Sequence, residues 1–232
     1  MKPTKLTAAL AALSVVGVVV PATAQDADIV KHMHDKHEAM IAIQSAIIAG
    51  SLDGTRESAS SLLEHEEPAG LPPAGAEFTA AVRVAAQGVL DADSLVAAAE
   101  AASQMGLACG QCHQASGVTV EFDDVKQPSD KEKEKPHMQR HQWAADRMWE
   151  GLIGPSSVAW SRGANLLFES PIKPDVLAQH GGGDEIVGMS RRIHQLAANA
   201  TAVSAPEEQA EIYAEFIANC GSCHTELGEG SR

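Results

Sequence analysis

The chain is expected to be all-α, two tandem four-helix bundles each with C-x-x-C-H near the end of its last helix. Three observations predict this. Long Ala/Leu/Ile/Val/Met segments with interleaved charge recur at helical spacing, and sustained strand alternation is missing apart from the short Val118–Phe122 piece. All four cysteines fall in two copies of one pattern, Cys109-Gly110-Gln111-Cys112-His113 and Cys220-Gly221-Ser222-Cys223-His224.

From the start, Met1 to Ala24 carries Lys2 and Lys5, an apolar run from Leu6 to Val20, and Ala22-Thr23-Ala24 before Gln25. This is the layout of a secretory signal with an A-x-A cleavage site. The run is shorter than the roughly 20 residues a spanning helix needs. Residues 1–24 therefore read as a signal peptide, and the remainder as an exported, soluble chain with no membrane span. Residues 25–116 form a first module, 117–136 a charged linker and 137–232 a second module.

The spacing predicts helices near Asp28–Ala49, Asp53–Glu66, Gly75–Val89 and Ser94–His113 in the first module. Gly50, Pro68, Pro72 and Pro73 punctuate them, and Asp53 reads as an N-cap. In the second module the helices fall near His137–Ile153, Ser156–Glu169, Asp184–Ala198 and Pro206–Glu226, with a short turn near Asp175–His180. Ser204 reads as the cap of the last helix, with Pro206 in its first turn and Glu207 completing a capping box. Between the modules, Lys131, Lys133 and Lys135 alternate with Glu132 and Glu134 before Pro136, the pattern of a solvated linker.

Charge narrows the partners. The chain has 31 acidic and 17 basic residues, and setting aside Lys2 and Lys5 leaves 15 basic, so the mature chain stands at −16. That balance argues against nucleic acid or an anionic lipid surface as partner and favours a protein partner with a basic docking surface, beside plain solubility. Aromatic residues make up only 3% of the chain, so a large flat cofactor would supply apolar bulk that the core otherwise lacks.

C-x-x-C-H is the attachment signature of c-type haem. On a helix, cysteines at i and i+3 share a face with a histidine at i+4, so two thioethers and one iron ligand fix a single macrocycle. Cys109, Cys112, Cys220 and Cys223 are then cofactor-binding, and His113 and His224 are metal ligands, for two covalently bound haems. A tetrahedral zinc site or two redox disulfides are the alternatives. Zinc gives no reason for a histidine after each second cysteine, and no βαβ pattern accompanies the pairs.

The halves also align with each other. His37 lies as far before Gly50 as His141 before Gly154, and in that frame Leu62-Leu63 falls on Leu166-Leu167.

Four helices with C-x-x-C-H near the end of the last resembles the cytochrome c prime family, the class II c-type cytochromes, here in tandem. The resemblance implies haem held against the final helix and attached outside the cytoplasm, hence a periplasmic location. It also implies a first helix that faces the distal side, and it allows a homodimer. This chain departs from the family in placing histidines on the first helix of each half. The register singles out His37 and His141 as distal ligands, with Met33 and Met138 as runners-up that a one-residue slip would match. His32, His65, His180 and His194 have no repeat partner and read as surface residues. Two function classes follow: an electron-transfer protein that is not an enzyme, or a haem enzyme or gas-binding protein with one open iron.

Overall fold

A computed structural model describes residues 24–72, 75–129, 134–169, 173, 175, 177 and 183–228. Among them the secondary structure is wholly helical: α1 (Ala24–Ile48), a 3₁₀ turn (Asp53–Thr55), α2 (Arg56–Glu64), α3 (Gly75–Asp91), α4 (Leu95–Ser116), α5 (Glu134–Ile153), α6 (Ser157–Glu169), α7 (Asp184–Ala202) and α8 (Pro206–Glu226). Residues 1–23 of the expected signal peptide and most of the turn expected at Asp175–His180 lie outside the described residues. No helix among those described is long and apolar enough to cross a membrane.

Local chemistry sets the ends. The Ser94 hydroxyl accepts from the Ala97 amide at 3.2 Å and starts α4, and Gly117, at φ 65, ends it. The expected caps of two other helices are not formed. Asp53 opens a 3₁₀ turn and its carboxylate accepts from Arg56 Nε at 3.3 Å. Ser204 stands one residue too early, because Ala205 is the N-cap of α8 and contributes no side-chain bond. Val118–Phe122 runs without regular structure, since its alternation meets no strand to pair with.

The helices share one core. In the first half α3 lies along α4 and α2, and Arg56 Nη1 donates to the Leu90 carbonyl at 2.8 Å. In the second half α5 lies along α6, with α7 between α6 and α8. The motif helices α4 and α8 pack along each other, α1 ends against α8, and α5 ends against α4. Trp149, Tyr213, Phe216, Ile43 and Met105 are all buried in the same cluster. The linker thus separates the halves in sequence and not in packing.

The repeat register differs from the expected one by a residue. Ser51 donates to the Ala46 carbonyl and Ser156 to the Gly151 carbonyl, both closing the turn after a first helix. Positive φ falls at Gly50 (77) and at Pro155 (23). Both pairs stand 105 residues apart, as do the buried pairs Ala59 with Ala164 and Leu62 with Leu167. Matching the two turn glycines, Gly50 with Gly154, gave 104 instead. The chain kept the turn's shape and moved its glycine, so residue identity at one position was a poor guide to register.

Candidate functional site

The first helices end alike in one bond, Ser51 to the Ala46 carbonyl and Ser156 to the Gly151 carbonyl, each acceptor two places before the last helical residue. In α1 Gly50 also donates to Ile47 at 2.9 Å, a bond that Pro155, with no N–H, does not repeat in α5. The Ile48 carbonyl is left as an orphan of the helix terminus. His224 Nδ1 lies 2.6 Å from it. His113 Nδ1, of the first half, lies 2.7 Å from the carbonyl of Ile153, the residue of α5 equivalent to Ile48. A carbonyl only accepts, so each Nδ1 must carry the proton and each Nε2 keeps its lone pair. That is the tautomer and outer hydrogen bond characteristic of a metal-ligating histidine.

Glycine allows the approach. A Cβ on Gly110 would overlap the Leu152 carbonyl, and one on Gly221 the Ile47 carbonyl. The sequence did carry this signal, because both motifs read Cys-Gly-x-Cys-His, but nothing in it names the carbonyl that the glycine makes room for.

The cysteines sit on the same helices. Cys109 and Cys220 pack against the core, and burial pushes both thiols up to about 12, with the Lys36 ammonium opposing this at Cys109. No disulfide joins the four cysteines. Among the described residues no group of three or more His, Cys, Asp and Glu side chains is placed to hold a metal ion. A porphyrin brings its own four nitrogens and asks the chain for one imidazole and two thiols per site, which each motif offers. Beside His113 a cleft of about 540 Å³ opens between Gln114–Val120 and Gly154–Ser157.

The first-helix residues fall in several settings. His37 is half-buried on α1, its ring 6.0 Å from that of Phe122 and its Nε2 enclosed without a hydrogen-bond partner. Burial, and then His34, hold it below the usual imidazole value. His141 lies on α5 with its ring 4.5 Å from that of His137. In the 105-residue register His37 falls opposite Gln142 and Lys36 opposite His141, whereas Met33 meets Met138 and His32 meets His137. Met40 and Met148 are buried in the core.

Three histidines expected on the surface are not there. His32 and His65 are partly buried with rings 5.9 Å apart, and His32 Nε2 lies 3.3 Å from Glu67, which also accepts from the buried Lys36 at 2.7 Å. His194 stacks on Phe168 at 4.9 Å. His180 lies outside the described residues. No family model, curated protein or solved structure matches the chain.

Proposed function

We propose that the chain is an exported di-haem c-type cytochrome that carries single electrons between redox partners in the periplasm and performs no catalysis of its own. The observation that carries the reading is the paired geometry of His113 and His224, each with Nδ1 committed to a carbonyl (2.7 and 2.6 Å) and Nε2 left to ligate. When bound, the haem supplies the one-electron couple. Cys109 with Cys112, and Cys220 with Cys223, would anchor it. Each half is read as a cytochrome c prime-like bundle, joined through the 117–136 linker. A chain carrying −14 overall fits a partner with a basic docking surface.

For the sixth ligand, His37 has its enclosed Nε2 in favour at the first site. His141 is the expected counterpart, and the 105-residue register raises Met138, with Met33, beside it. A pyridine haemochrome assay on the purified protein should count two covalent haems per chain; none or one sinks the proposal. Carbon monoxide added to the reduced protein should leave the Soret band almost unchanged. A strong Soret shift would instead place an open iron in the chain and favour a gas-binding protein or haem enzyme. A near-infrared sulfur-to-iron band would assign methionine in place of histidine.

A further inference from the structure

We infer that each motif histidine is positioned by the opposite half of the chain, so that the two haem sites form one coupled unit rather than two carriers in series. This rests on the haem reading above and adds the regulation of its sites. His113, in the first half, donates to Ile153 in the second, and His224, in the second, donates to Ile48 in the first. The crossing is built into the backbone, because α4 and α8 reach the opposite helix ends only where Gly110 and Gly221 carry no Cβ. Gly50 extends the seam, since a Cβ there would meet the Thr225 hydroxyl and the Gly221 carbonyl.

The acceptors are orphan carbonyls at the negative ends of two helix dipoles. A donor bond to such an oxygen raises electron density at Nε2 and stabilises the oxidised form of the metal that it ligates. Each first helix also packs against the motif helix of its own half, α1 against α4 and α5 against α8. On α1, Lys36, whose charge bears on the Cys109 thiol, lies about 18 Å along the same rigid element from Ile48, which meets His224. On α5, Ile153 meets His113. A shift of either first helix at one site therefore changes the hydrogen bond that tunes the other, and the coupling is reciprocal.

The test uses the full, haem-loaded chain in a spectroelectrochemical titration. Gly110→Ala should push Ile153 away from His113, raise one of the two reduction potentials most, and move the other by a smaller amount through α5. Gly221→Ala should show the reverse pattern. Two covalent haems whose potentials do not move, one potential moved while the other stays fixed, or the same potential moved most by both variants overturns the inference while the haem reading stands. A chain without covalent haem overturns that reading itself. Should a glycine variant fail to mature, a protease site inserted between Lys126 and Ser129 decides the matter. The cut chain should run as a single particle on size exclusion with both potentials as in the parent. Separation of the halves, or potentials that move on cutting, overturns the inference.

Discussion

Around the first C-x-x-C-H site the chain folds back on itself. Residues after Gly117 run along α5, where Arg147, Trp143 and Arg140 donate to the carbonyls of Asp123, Val125 and Pro128 at 3.3, 2.9 and 3.2 Å, and Phe122 reaches the His37 ring. Around the second, α8 ends in a turn at Gly228, and the neighbour of note is buried Tyr213, which donates to Gln44 at 2.5 Å. What the two sites share is the histidine, the glycine and the carbonyl that meet each other. What differs is everything that would tune a cofactor once held. On the proposed haem reading, the duplicated part is what attachment would demand, and the divergent part would be free to set two different potentials.

The largest effect expected from breaking that comparison is on cofactor content. Cys109→Ala with Cys112→Ala should lower the haem count from two per chain to one, and Cys220→Ala with Cys223→Ala should do the same at the other site. Visible spectra of the two single-haem proteins then give each site's spectrum and potential separately. Identical potentials would show that the strap over the first site and Tyr213 at the second are electronically idle.

Next in size is the packing between the halves. Trp149 is fully buried, lies against Gly106 of α4 and has its ring 5.7 Å from that of Tyr213. Trp149→Ala should cost about 3–5 kcal/mol by transfer and cavity terms together. Its counterpart in the 105-residue register is Gln44, whose side chain meets Tyr213 from the other half. Tyr213→Phe keeps the ring and strands the Gln44 oxygen, at a cost of about 1–3 kcal/mol. Urea denaturation would measure both. If Tyr213→Phe proved the more damaging, the polar bond rather than aromatic bulk would be what joins the halves.

The helices were legible in the sequence because their signals are local. Apolar spacing placed all eight of those described, and Pro206–Glu226 was placed to the residue. The C-x-x-C-H residues were legible for the same reason. The partners of His113 and His224 were not, because they are backbone carbonyls of Ile153 and Ile48, and a carbonyl leaves no trace in residue identity. The cluster of His32, His65, Lys36 and Glu67 was missed because its members come from α1 and from the loop after α2, and repeat matching searches only for like against like. The register failed on a related point: Pro155 occupies the place where Gly50 sits, and the residue type disguised the equivalence.

Acidity should separate the halves further. Burial holds His37 and His32 below the usual imidazole value, with Lys36 adding to the effect at His32. The unfolded chain takes up protons that these groups refuse, so their contribution is full above pH 6.5 and declines as pH falls below it. Glu150 behaves oppositely, because burial lifts it from 4.5 to about 7 against the pull of Arg147. The folded chain keeps a proton there that the unfolded chain has lost, so this contribution is full below pH 4.5 and is lost as pH rises through about 7. Glu150→Gln should flatten the decline between those values, and His32→Gln should flatten the acid limb. Melting curves collected across pH 4 to 8 would show parallel profiles for variant and parent if either group were spectator to folding.

The smallest effect lies at the start of the two motif helices. Ser94 caps α4 through its hydroxyl, whereas α8 begins at Ala205 with no side-chain bond to its first amides. The Ala205 backbone, at φ −72 and ψ 127, already holds the extended conformation that a capping residue needs. A hydroxyl or carboxylate there would reach an amide of the first turn without strain, and Glu207 and Glu208 already place negative charge at that end. Ser94→Ala should therefore cost about 1 kcal/mol, and Ala205→Ser should return a similar amount, a rise of about 2–4 °C in melting temperature for a chain of this size. Made together, the two changes should nearly cancel, since the two caps are separate sites with no shared partner. A loss from Ser94→Ala that Ala205→Ser failed to offset would mean that α4 and α8 do not unfold in one transition, and the shared core between the halves would be weaker than their packing implies.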